Sequence, residues 1–108
     1  MADPVTTFSP EAVVLLRANL GFYGSKIPDD LLNYLESLLS AAFRQLARAG
    51  INLSPGKLYD AELQVMYAAW LYRKRTDGAE KPPMLIQEIR DRQVEQALAA
   101  DEEAMYDL

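Results

Sequence analysis

Carboxylate side chains recur in three groups, each of which could act as an acid–base pair or hold a metal ion. The groups are Asp60 and Glu62, then Glu88, Asp91 and Glu95, then Asp101, Glu102 and Glu103. None has a spacing typical of a catalytic or metal site, and such charges usually lie on the solvated faces of helices. We therefore interpret them as surface residues, and we expect no metal and no cofactor.

Two residue types that often carry chemistry are missing from the chain. It contains no cysteine and no histidine, so it lacks a thiolate nucleophile and the side chain whose pKa lies nearest neutrality. We also find no glycine-rich phosphate loop, no EF-hand loop and no nucleophile elbow. An enzyme would need a carboxylate or lysine buried in a pocket. We therefore expect that the protein is not an enzyme.

An aromatic segment that runs directly into a basic triplet is the densest group of interaction-prone side chains. Its members are Tyr59, Tyr67, Trp70 and Tyr72, followed by Arg73, Lys74 and Arg75. The rings suit a hydrophobic core, but Trp and Tyr are also favoured anchors of interfaces, and both roles stay open. The cations suit the C-terminal end of a helix, and three charges alone would bind phosphates only weakly.

Negative charge is concentrated at the C-terminal end. The net charge is −5, yet residues 1–100 contain 11 basic and 12 acidic side chains. We therefore divide the chain into a single helical domain, residues 1–100, and an acidic tail, residues 101–108. The tail is either a solubilising end or a segment that reaches the basic triplet of another copy. Such a head-to-tail contact, repeated by rotation, closes a ring.

The pattern of apolar residues predicts four helices that position these groups. Ser9 and Pro10 are typical of a helix start, and helix one is predicted to run to about residue 20. Helix two, about residues 29–49, has the strongest pattern, because its apolar residues recur at the spacing of one helical face. These residues are Leu31, Leu32, Leu35, Leu38, Leu39, Ala42, Phe43 and Leu46.

Helix three is predicted over about residues 58–75, and residues 51–57 form either a loop or a loop with the helix already starting at Pro55. Between Leu63 and Tyr72 the helix is apolar on nearly every side, so it must be enclosed on more than one face. Residues 76–81 are predicted to form a tight turn. We expect that the other helices cannot cover helix three completely and that a neighbouring chain does so.

Helix four is predicted to begin at Pro82 and Pro83. Its apolar stripe consists of Leu85, Ile86 and Ile89, and is continued among charges by Val94, Ala97 and Leu98. Residues 101–108 lack periodicity, and we expect them to fray or to become ordered only against a partner.

The predicted fold class is all-α, a small four-helix bundle with a short N-terminal helix and a long central helical hairpin. The first eight residues resemble no signal peptide. The longest apolar run, residues 65–72, is far shorter than the ~20 residues that cross a bilayer. We therefore expect a soluble cytoplasmic protein.

Two segments, residues 58–75, LYDAELQVMYAAWLYRKR, and residues 83–92, PMLIQEIRDR, carry a resemblance to a known family. They resemble the small head-tail connector (adaptor) proteins of long-tailed bacteriophages and prophages. The helix that starts with DDLLNYLE at residue 29 and the exit AGI at residue 49 add to the likeness, which covers residues 10–92.

The resemblance implies a four-helix subunit that forms a homo-oligomeric ring in the virion neck, after assembly in the cytoplasm of the bacterial host. Such a ring lies between the portal protein and the stopper or tail-completion proteins and extends the DNA channel. DNA passes through it without sequence-specific binding, and no membrane is involved.

We predict a subunit or partner interface on seven residues: Tyr67, Trp70, Arg73, Lys74, Arg75, Val94 and Leu98. Residues 94–108 are expected to meet the portal or a neighbouring subunit. The alternative from another class is a small helical DNA-binding regulator, in which the basic triplet contacts phosphates.

Overall fold

The computed structural model describes residues 6–22, 24 and 26–106, and for residues 102–106 it describes the backbone alone. Four helices account for most of these residues: α1 (Pro10–Asn19), α2 (Asp29–Arg48), α3 (Leu58–Asp77) and α4 (Pro83–Tyr106). No strand occurs among the described residues. The predicted all-α class, with a short first helix and a long α2–α3 hairpin, is confirmed.

The start of α1 and the end of α2 are fixed by local chemistry. The Ser9 hydroxyl accepts a hydrogen bond from the Ala12 amide at 3.2 Å and caps α1, which satisfies one of the free N–H groups of the first turn. At the end of α2, Gly50 has a φ of 86°, a left-handed conformation. This turn lets the Ile51 amide donate to the Leu46 carbonyl at 2.9 Å, so Ile51 enters the core.

The apolar face predicted for α2 forms one side of the core. Its fully buried members are Leu35, Leu38, Leu39, Ala42 and Leu46, which are spaced as one side of a helix. They pack in one cluster with Ala12 and Leu16 of α1 and with the middle of α3. This part of the prediction is confirmed.

Helix α3 is the centre of the molecule. Its buried residues are Ala61, Leu63, Gln64, Val65, Tyr67, Ala68, Ala69, Trp70 and Leu71. The side-chain amide nitrogen of Gln64 donates to the carbonyls of Thr7 and Leu39 at 2.7 and 2.9 Å, which compensates for the burial of its N–H groups. Helix three is therefore enclosed as predicted. The expectation that a neighbouring chain must complete this cover is wrong, because its own chain buries these side chains.

The structure decides where α3 begins and moves its predicted end. Residues 55 and 56 form a turn, closed by the Lys57 amide on the Ser54 carbonyl at 2.9 Å, and the helix begins only at Leu58. At the other end the helix continues through Thr76 and Asp77, which the sequence assigned to a turn. The Thr76 hydroxyl bonds back to the Tyr72 carbonyl, and Gly78, with a φ of 70°, ends the helix.

Helix α4 runs antiparallel to α3. Lys81, just before α4, lies over the Tyr67 and Trp70 rings near the end of α3, whereas Arg92 lies against Tyr59 at its start. The helix continues to Tyr106, so residues 101–106 are helical in the single chain, and the expectation that they fray without a partner is wrong. Asp107 and Leu108 of the predicted tail lie outside the described residues.

The predicted continuation of the α4 core stripe through Val94 and Leu98 is wrong. Each of these side chains is 58% exposed, while Arg92 is only 3% exposed. The reason is helical phase: positions seven and eleven residues after Leu85 return to the same face, and these positions hold Arg92 and Gln96. The inner face of α4 thus changes from apolar to polar halfway along the helix.

Candidate partner interface

A buried arginine fixes α4 to the start of α3. Arg92 Nη1 lies 2.8 Å from Asp60 Oδ1, and Arg92 Nε lies 2.8 Å from Glu88 Oε1. Arg92 Nη2 donates to the Tyr59 carbonyl at 2.6 Å, and the guanidinium carbon lies 3.4 Å from the centroid of the Tyr59 ring. The charge is therefore paired, hydrogen-bonded and stacked, as burial of an arginine requires.

The contacts of Arg92 and Tyr59 shift the pKa of both side chains. Burial alone lowers the pKa of Arg92, but the hydrogen bonds to Glu88 and Asp60 and the charge interactions outweigh it and raise the pKa. Removal from water and the hydrogen bond to Glu95 raise the pKa of the Tyr59 hydroxyl. Both side chains keep their protons near neutral pH, so this network acts as a structural joint.

Sequence reasoning missed this joint, because Asp60 and Glu88 were interpreted as solvated carboxylates. The signal was present in the helical phase, since Arg92 occupies the position where the pattern of Leu85 and Ile89 requires an inward side chain. Asp60 binds both α4 and the α2–α3 loop, because its second oxygen, Oδ2, accepts a hydrogen bond from the Ser54 amide at 2.8 Å.

Two glutamines extend the joint to the α2–α3 loop. Gln93 Nε2 donates to the Ala49 carbonyl at 2.9 Å. Gln96 accepts from the Asn52 amide at 3.1 Å and donates to the Asn52 carbonyl at 3.2 Å. These hydrogen bonds hold α4 against the α2–α3 loop as far as residue 96. Residues 101–106 of the helix extend beyond these contacts.

The predicted interface aromatics, Tyr67 and Trp70, belong to the core. Their exposed fractions are 7% and 8%, and their rings meet edge to face with centroids 5.4 Å apart. Tyr67 donates to Gln45 Oε1 at 2.8 Å, and Trp70 Nε1 donates to the Ala79 carbonyl at 3.2 Å. Any contact that they make with another subunit is limited to the small edge left exposed.

The basic triplet is exposed at the end of α3, with its members on different sides of the helix. Arg73 Nη2 donates to the carbonyl and the side-chain oxygen of Asn19, at 3.2 and 2.9 Å. Lys74 Nζ lies 5.0 Å from the Trp70 ring, and the Arg75 guanidinium lies 5.8 Å from the Tyr34 ring. We call these three residues the basic end.

The basic end and the acidic residues Asp101, Glu102 and Glu103 lie at opposite ends of the molecule. Gln96 contacts the loop ahead of α3, and α4 runs away from the basic end, so residues 101–103 lie beyond the start of α3. The 20 residues of α3 span about 30 Å. This distance is several times the screening length of about 8 Å at physiological salt, so the two ends do not neutralise each other.

Val94 and Leu98, the remaining predicted interface residues, form an exposed apolar pair on α4. They lie four residues apart on the face opposite Leu85 and Arg92, and Ala97 beside them is exposed as well. We call Val94, Ala97 and Leu98 the outer stripe. The structure therefore distributes the seven predicted residues over three places: the core, the basic end and the outer stripe.

Other kinds of site are not found in the described part of the chain. No cluster of three or more acidic side chains there has the arrangement of a metal site. Among the same residues, no helix combines the length and the apolar character needed to span a bilayer.

Comparison with protein-family models, with curated proteins and with solved structures finds no match. Support for a function therefore comes from the surface of the molecule and from the resemblance in its sequence.

Proposed function

We propose that the protein is a structural head-tail connector (adaptor) subunit of a bacteriophage or prophage particle. It assembles in the host cytoplasm as a ring between the portal and the stopper or tail proteins, and this ring extends the DNA channel in the virion neck. The observation that carries the proposal is the placement of opposite charges at opposite ends of one helical unit.

Opposite charges at the two ends favour a head-to-tail contact between copies. The acidic end of one subunit, which consists of Asp101, Glu102 and Glu103, attracts the basic end of the next, and each contact leaves one acidic and one basic end free. A contact of this heterologous kind closes into a ring when its rotation permits. The separation of the two ends prevents the same contact within one chain, so attraction acts only between chains.

The charge of the body suits a channel wall that DNA must pass. Residues 1–100 contain 11 basic and 12 acidic side chains, so the bundle is nearly neutral. A wall rich in lysine and arginine would bind phosphates and hold the DNA back. A near-neutral wall supports passage without sequence-specific binding.

Electron microscopy of the purified protein, alone and mixed with the portal protein of the same genome, tests the proposal. We expect rings that bind the portal coaxially. A protein that stays monomeric at every concentration and does not bind the portal would refute the connector role.

A charge exchange tests whether the opposite ends drive assembly. Reversing the basic end, R73E/K74E/R75E, should weaken ring formation, with the largest effect at low salt. The second reversal, E102K/E103K/D107K, should do the same alone and restore rings when combined with the first. The combined variant keeps the wild-type net charge of −5. Rings unchanged by the first reversal at low salt would contradict the electrostatic contact.

A matched control separates the basic end from a general effect of charge. The variant K26E/R44E/K57E reverses three exposed cations elsewhere on the bundle and gives the same net charge as R73E/K74E/R75E. We expect it to form rings normally. A gel-shift titration with duplex DNA tests the regulator alternative, and specific affinity that survives physiological salt would favour that alternative.

A further inference from the structure

The outer stripe of α4 is apolar surface without cover in the described part of the chain. Val94 and Leu98 are each 58% exposed, and Ala97 is exposed between them. An isolated exposed apolar residue needs no explanation, but adjacent ones on one helix face commonly mark a contact with another helix. The surrounding charges indicate which helix this is.

We infer that the outer stripe packs against the outer stripe of a second copy, with the two α4 helices antiparallel about a twofold axis between residues 95 and 96. In this arrangement Val94 of one helix faces Ala97 of the other, and Leu98 of each copy flanks this pair. The inference does not depend on the connector role.

The charges at the two ends of the stripe fit this arrangement. Arg90 precedes Val94 by one turn, Asp101 follows Leu98, and both side chains are exposed. They are eleven residues apart, which places them within about 20° of each other around the helix. They therefore lie near the centre line of the stripe, one beyond each of its ends, at equal distances from the twofold axis.

A twofold axis brings these opposite charges together. Rotation about an axis perpendicular to the helix reverses the helix direction and keeps each edge on its own side. Arg90 of one copy then lies opposite Asp101 of the other, and symmetry makes this ion pair twice. Asp91, which lies to one side of the stripe, already accepts a hydrogen bond from Gln87 Nε2 at 2.9 Å.

A parallel arrangement is disfavoured by the same charges. It would place Arg90 opposite Arg90 and Asp101 opposite Asp101, and like charges that face each other oppose association. The charge pattern therefore selects both the partner and its direction.

The size of the surface limits the strength of the dimer. One pair of helices lies at the low end of interface sizes, so we expect a dimer that forms at protein concentrations on the order of 100 µM. This dimer is distinct from a ring, because an isologous contact ends at two copies.

Analytical ultracentrifugation of the full chain over a range of concentrations tests the inference. The variant R90D and the variant D101R each place like charges at both ends of the contact, and each should weaken dimerisation about tenfold. An equimolar mixture of the two variants should dimerise like the wild type, because the mixed dimer has two ion pairs again: one is the original pair of Arg90 with Asp101, and the other has its charges exchanged.

Removal of the apolar surface gives a second, independent test. V94S/L98S should abolish the dimer. The control V14S changes an exposed valine on α1 and should leave the dimer unchanged. Circular dichroism checks that each variant keeps its helices.

Each contrary result overturns a definite part of the inference. A wild type that is monomeric throughout, or a dimer that survives V94S/L98S, removes the outer stripe as the contact. A dimer lost in V94S/L98S but not weakened by R90D removes the antiparallel pairing. Rings that form through the basic end while the dimer is absent overturn this inference and leave the connector role intact.

Discussion

Arg92 of α4 and Asp60 of α3 form an ion pair of 2.8 Å in which the arginine side chain is only 4% exposed and the aspartate 15%. Asp60 also holds the Ser54 amide of the preceding loop. One pair of side chains therefore connects α4, α3 and the α2–α3 loop. Because α4 makes few apolar contacts beyond Ile89, its second half depends for its position on polar contacts, of which this pair is the most buried.

Replacing Arg92 by methionine should destabilise the fold by about 3 kcal/mol, because Asp60 then keeps a charge that has lost its partner in a largely buried site. Urea unfolding followed by circular dichroism measures this. The substitution R44M at an exposed position of α2 should change stability by less than about 0.5 kcal/mol.

A double-mutant cycle isolates the pair itself. R92M, D60N and the double variant should show a coupling energy above about 1 kcal/mol, as is usual for residues in direct contact. Strictly additive effects would mean that the pair contributes nothing beyond its two separate environments.

The sequence was sufficient to predict the elements whose signals are local or strongly periodic. The α2 face is an uninterrupted pattern from Leu35 to Leu46, and the caps at Ser9 and Gly50 depend on neighbouring residues alone. The ends of α3 were predicted within one turn. The hydroxyl bond of Thr76 and the left-handed Gly78 moved its end, and such bonds are decided only in the folded chain.

The surface of α4 could not be predicted in the same way, because hydrophobicity and burial disagree there. Arg92 is buried since Asp60 and Tyr59, more than thirty residues away in the sequence, compensate its charge. Val94 and Leu98 are exposed although they are apolar. Helical phase alone places position 92 inward, but an arginine is not expected to be buried, and the distant carboxylate that permits its burial is positioned only in the folded chain.

Replacing Gly50 by alanine should destabilise the fold by about 1 kcal/mol, because a side chain at a φ of 86° is strained. Gly56 is a matched control. It lies in the turn before α3 without a positive φ, and an added methyl group would meet no atom within 4 Å at either glycine. G56A should therefore be neutral or slightly stabilising. Equal effects of the two substitutions in thermal unfolding would show that backbone conformation is not the cause.

Stability should fall at alkaline pH through Tyr67. Burial raises the pKa of this hydroxyl above its usual value, so the unfolded chain loses the proton at about pH 10 while the folded chain still holds it. The contribution of the protonated hydroxyl is complete below about pH 10 and is lost as the pH rises through the folded pKa.

The variant Y67F tests this titration. It removes the hydrogen bond to Gln45 and should cost about 1 kcal/mol at pH 8, but it should lose less stability than the wild type between pH 9 and 11 (about one unit on either side of the usual tyrosine pKa). Lys81 lies over this ring and can contact phenylalanine in the same way, so the comparison isolates the hydroxyl. Parallel pH profiles in urea unfolding would contradict the prediction.

Trp70 can report whether the aromatic segment belongs to the core or to a subunit contact, because it is the only tryptophan in the chain. Its ring is covered by Tyr67, Lys74 and Lys81 of the same chain. We therefore expect blue-shifted emission and weak quenching by acrylamide in the monomer. Assembly through the basic end or the outer stripe should leave both unchanged, because neither contact needs to uncover this ring. A large drop in quenching upon assembly would instead place Trp70 at the contact between copies, and would show that its cover in the single chain opens in solution.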